Sequence, residues 1–191
     1  MDRARLVGWL DAAVRPASRW TDWREMGGQY YNSGVQHLSD FSDADMVASL
    51  VKADAALFHY RDYRSAVRGI MNSAEMPHLK RASYVPDTRD FVAGSLTYAE
   101  NLIEYIVFYA IVRGAADMFT AGDYGVAVIH NYIWGNDRTT HSAMRLGPGA
   151  RSEFMSPDEV SSAGGAFQGI ADEMLSEDHP PAPIDELDSL R

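Results

Sequence analysis

With 191 residues and a formal net charge of −10, from 27 acidic against 17 basic side chains, the chain can bury one self-sufficient core. Its averaged surface repels phosphate backbones and anionic headgroups. It contains no cysteine, which excludes disulfides, thiolate zinc sites and cysteine nucleophiles together. The apolar run from Ile103 to Val112 falls well short of the roughly 20 residues a membrane span requires.

The N-terminal segment, MDRARLVGWLDAAVR, has no signal peptide pattern, because charges interrupt its apolar run; a location in the cytoplasm or within a virion is expected. Lys52 and Lys80 are the only lysines, and the remaining cations are arginines, which favour two-pronged pairing with carboxylates.

In chain order, Leu6, Val7, Leu10 and Val14 mark a first helix over 3–14, ended by Pro16. An irregular segment pinned by Trp20, Trp23, Tyr30 and Tyr31 follows. Ser42 and Asp45 have the spacing of a capping box, and the apolar steps after them predict a long helix over 43–72. Asp87 and Asp90 then cap a central helix over about 88–120, whose run from Leu102 to Ile111 is apolar nearly all round.

Residues 123–134 mix β-branched and aromatic side chains, so strand and helix compete; the surrounding helices favour helix. Ser156-Pro157-Asp158-Glu159 opens a last helix reaching about residue 175. The acidic, proline-rich remainder, SEDHPPAPIDELDSLR, is expected to be a flexible tail. The fold class predicted is therefore all-α: an irregular bundle of about five or six helices over 1–175 around the helix at 88–120, with a loose 176–191.

Four constellations could carry function. Glu100 and Glu104 lie one turn apart beside the most apolar run, where a carboxylate needs a partner such as Arg61 or Arg64. With His130 and His141 they form the nearest approach to a metal or enzyme site, although no Glu-x-x-His motif occurs and no metal or cofactor is predicted. The stretch from His130 to His141, dense in polar and aromatic groups, is the best pocket candidate, yet it matches no nuclease, zincin or hydrolase spacing. Arg61, Arg64 and Arg68 make a basic stripe that could track phosphates, against a simpler role in ion pairs.

Ile184, Leu187 and Leu190 give the tail an amphipathic edge suited to a partner's groove, and Trp9, Trp20 and Trp23 offer an aromatic surface that could receive it. With no catalytic motif and two such ends, the reading is a non-enzymatic assembly protein, such as a virion subunit, contacting copies of itself or a protein partner. The alternatives are a helical metal-binding enzyme using His130, His141, Glu100 and Glu104, and an acidic inhibitor or immunity-type binder steered to a basic partner.

Overall fold

In the computed structural model, residues 1–31, 35–71, 80–95, 101–131, 139–174 and 184–191 are described. The chain is mixed α and β, with five helices and three small sheets among the described residues. This corrects the all-α bundle. The helices are α1 (Arg3–Leu10), α2 (Asp43–Leu57), α3 (Tyr63–Met71), α4 (Leu102–Ala116) and α5 (Pro157–Met174). The strands are β1 (Gln29–Tyr31), β2 (Val35–His37), β3 (Lys80–Val85), β4 (Asp90–Ser95), β5 (Gly125–Asn131), β6 (Thr139–Gly147), β7 (Arg151–Phe154) and β8 (Ile184–Asp185). They form a β1-β2 hairpin, a sheet ordered β4-β3-β8 and a sheet ordered β5-β6-β7.

The helix predicted over 43–72 is two helices, because a second N-cap lies inside it. The Asp62 carboxylate accepts the Ser65 N–H at 2.8 Å, and the Ser65 hydroxyl accepts the Asp62 N–H at 3.2 Å, which is the reciprocal geometry that starts a helix. The helix predicted over 88–120 is likewise divided. Its first part is β4, joined to β3 by a turn at Pro86–Arg89, with Val85 opposite Asp90 and Arg89 at φ 59°. Pro-Asp followed by a left-handed residue is hairpin chemistry, and here it prevails over the reading of Asp87 as a helix cap.

The helix at 102–116 begins instead at Asn101, whose side chain accepts the Glu104 N–H at 3.0 Å. It is central, with Ile106, Tyr109, Ala110, Ile111 and Ala116 wholly buried. Residues 125–131, expected to be helical, pair antiparallel with β6 from Gly125 opposite Leu146 to Asn131 opposite Thr139, with a bulge between Ile129 and His130. Val126, Val128 and Ile129 are stiff at χ1 and fit this pleated surface. The last helix matches its predicted start: the Ser156 N–H and hydroxyl both donate to the Glu159 carboxylate.

The tail expectation is corrected for residues 184–191. β8 runs parallel to β3, with Arg81 opposite Ile184, and the Glu186 N–H donates to the Ala82 carbonyl at 3.0 Å. Leu187 and Leu190 are buried in the core, each worth about 1.5–3 kcal/mol of apolar burial. Residues 176–183 lie outside the described residues.

The most heavily constrained polar group is Arg113 of α4, 1% exposed. Its two terminal nitrogens donate to the two Asp22 carboxylate oxygens at 2.6 and 2.7 Å. The guanidinium lies 4.7 Å from the Trp23 ring, 4.9 Å from Phe154 and 5.3 Å from Trp20. One residue along, Gly114 lets the Tyr63 ring lie directly on the α4 backbone, where an added Cβ would overlap that ring. Asp22→Ala, which strands Arg113 without its counter-charge, is expected to lower unfolding free energy by about 3–5 kcal/mol in a urea titration. Adding Arg113→Met to Asp22→Ala should recover part of that loss, since the stranded charge is then gone.

Candidate functional site

β4 and β5 are the outer strands of their sheets, and among the described residues each pairs on one side only, β4 with β3 and β5 with β6. Between them lies a cleft of about 560 Å³. Every residue from Asp90 to Ser95 and from Gly125 to His130 lines it. Both strands therefore line the cleft along most of their length. The floor is α4, through Phe108, Ile111, Val112 and Ala115, and one end is closed by Val67 and Ile70 of α3 and Trp9 of α1.

The lining is chiefly apolar, and its polar groups are few. Arg89 and Asp90 sit at the turn end of β4, exposed and opposite in charge. Arg81 also lines the cleft, and its Nε donates to the Ser83 hydroxyl at 3.2 Å. At the far end of β5 stands His130, half-buried, with His141 on the adjacent strand β6. Burial holds both imidazoles below their ordinary value near 6.5, and for His130 the nearby His141 adds to the effect. Both are therefore neutral at pH 7, able to donate at one nitrogen and accept at the other.

Of the residues singled out in the sequence, the structure brings His130 and Trp9 to this cleft. Glu100 and the stretch 132–138 lie outside the described residues. Glu104 is half-buried in the first turn of α4, and its expected partners are engaged elsewhere: Arg61 with Asp62, Arg64 with Asp11, both at 2.8 Å. Among the described residues no three His, Asp or Glu side chains are grouped as metal ligands, and no helix is long and apolar enough to cross a membrane.

Within the stripe, Arg61 is exposed and pairs with its neighbour Asp62, whereas Arg64 and Arg68 reach other parts of the fold. Arg64 also donates to the Leu187 carbonyl, and Arg68 pairs with Asp188 at 2.9 Å and Asp185 at 3.7 Å, so two of the three clasp the C-terminal segment. Ile184 is half-buried, and Leu187 and Leu190 are buried beneath that clasp rather than offered to a partner. Trp9 and Trp23 are 3% and 2% exposed, and Trp20 is half-buried against Arg113, so they form no receptor surface.

Sequence reasoning missed β4 and the β5 edge, which form the cleft walls. The available signal was two β-branched or aromatic stretches, Phe91-Val92 and Val126–Ile129, each beside turn residues. No family model matches this sequence, no curated protein matches it, and no solved structure matches the fold.

The histidine pair sets a pH response. Because folding lowers both pKa values, the unfolded chain binds more protons below about pH 6.5, and stability falls as pH drops from there toward the folded-state values. Carboxylates such as Asp123, held low by the Thr120 N–H and Arg5 against the opposing effect of burial, respond only at more acid pH. The urea midpoint should fall between pH 7 and 5.5, and His130→Gln with His141→Gln should flatten that slope while leaving the steeper loss at more acid pH.

Proposed function

We propose that this chain is a ligand-binding domain that takes an apolar small molecule in the cleft between β4 and β5. One observation carries the reading: a cavity of about 560 Å³, floored by apolar side chains of the most buried helix and walled by two outer strands. Ligand sites commonly span about 300–1,000 Å³, with mostly apolar walls and a few polar groups that orient the guest. His130 fits the same role, since in its neutral form it adds hydrogen-bonding capacity without adding to the charge of Arg81, Arg89 and Asp90. Phenylnaphthylamine, a neutral fluorophore that brightens in apolar surroundings, should bind saturably with one site per chain. Val112→Trp, which fills the floor, should weaken it at least tenfold while the far-ultraviolet circular dichroism stays unchanged. A linear, unsaturable fluorescence rise in the wild type would count against the reading.

A second reading, self-assembly, is favoured by the outer face of α2. Val47 and Val51 are 60% and 63% exposed and Phe58 is 87% exposed, and with Ala44 and Ala55 they recur at three- and four-residue steps. Two copies of α2 crossing antiparallel at Val51 would set Phe58 over Ala44 and Val47 over Ala55, large over small, as a two-fold contact requires. Light scattering should then give a dimer mass that Phe58→Asp reduces to that of one chain. A single-chain mass for the wild type at high protein concentration would end this reading.

A further inference from the structure

The strands β4 and β5 begin side by side at the exposed end of the cleft. The Met1 amine fixes this: it donates to the Arg89 carbonyl at 3.0 Å, just before β4, and lies 3.6 Å from the Asp123 carboxylate, just before β5. Three lining side chains gather there, Arg89, Asp90 and Tyr124. All three are exposed, Tyr124 at 78%, so a ligand entering the cleft can reach them. Among the described residues, none of the three makes a side-chain hydrogen bond or an ion pair.

The other charges of the lining are placed differently. The Met1 amine is matched by Asp123, and Arg81 lies toward the opposite end of β4, across from Gly94, half-buried and donating to Ser83. The exposed end therefore presents one cation, one anion and one aromatic ring whose side chains the described fold leaves unused. Arg89 moreover holds φ 59°, a conformation in which Gly or Asn is less strained than a long side chain.

Resting on that cleft being a ligand site, we infer that its ligand is a single-chain amphiphile with a zwitterionic head, of the kind a phosphocholine group supplies. The anionic phosphate pairs with Arg89, whose forked donors suit phosphate oxygens. The quaternary ammonium lies against the Asp90 carboxylate and the Tyr124 ring, which attract such a cation by charge and by cation–π contact. The hydrocarbon tail runs from there between β4 and β5 onto the apolar floor of Ile111, Val112 and Ala115. Six residues of β4 give that tail a wall roughly 20 Å long, at about 3.3 Å per residue. A head of zero net charge also suits the chain, since an anionic head is repelled by the net charge of −10 and a cationic one by Arg89.

The test is displacement of bound phenylnaphthylamine, with each competitor kept below its micelle-forming concentration. Dodecylphosphocholine should displace it, and tailless phosphocholine at the same concentration should not. An uncharged polyoxyethylene dodecyl ether is the reference for the tail. The affinity ratio of dodecylphosphocholine to the ether should fall about three- to fivefold in Arg89→Gln and likewise in Asp90→Asn, while the ether binds both variants as it binds the wild type. An unchanged ratio in either variant, or displacement by phosphocholine alone, would overturn the zwitterionic amphiphile and leave the cleft reading standing. Failure of the wild type to bind the fluorophore would remove both.

Discussion

The buried pairing of Arg113 with Asp22 is the constraint on which the rest of the arrangement depends. A guanidinium at 1% exposure survives in a core only if its charge is met and its faces are covered. Asp22 meets the charge through two parallel hydrogen bonds, and Trp20, Trp23 and Phe154 cover the faces. Those four partners come from two distant stretches of chain, the N-terminal turns and β7. One side chain therefore ties both to α4, and with β7 the whole β5-β6-β7 sheet is held in place.

A helix held this way becomes a fixed floor. α4 is too apolar to face water, so other elements must cover it, and α1, α2, α3 and the β5-β6-β7 sheet do so. Each three-stranded sheet has an outer strand facing the cleft, and β4 and β5 do not pair with each other. The gap between them is lined by both strands and by apolar side chains of α4, Phe108, Ile111, Val112 and Ala115. The polar side chains lining it are few, among them Arg81, Arg89 and Asp90 and, at the far end of β5, His130.

Charge elsewhere is used locally. Arg5 pairs with Asp2 and Asp123, Arg19 with Asp117, Arg24 with Asp43 and Arg145 with Glu159. The exposed pairs among these, Arg24 with Asp43 and Arg145 with Glu159, contribute little individually. The clasp on the C-terminal segment differs because it closes over buried leucines: Arg3 donates to the Ser189 carbonyl at 2.6 Å, Arg64 to that of Leu187, and the Glu186 carboxylate accepts the Tyr84 N–H at 2.8 Å. Segment 184–191 is thereby a working part of the β4-β3-β8 sheet.

Local rules sufficed where a single stretch of chain carried its own instructions. The caps at Ser42 and Ser156, the apolar helix around Ile106 and the absence of cysteine chemistry were legible in the sequence, because capping and periodicity act within a few residues. Trp9 and His130 could be noted as residues of interest, but not that they would border one cleft. The sheets, the burial of Leu187 and Leu190 and the pairing of Arg113 with Asp22 were decided only in three dimensions. A strand such as 125–131 is stabilised by its partner at 139–147, and an acidic tail is ordered by arginines more than a hundred residues away. No periodicity within either segment encodes those partners, since the interactions that choose the conformation lie outside it.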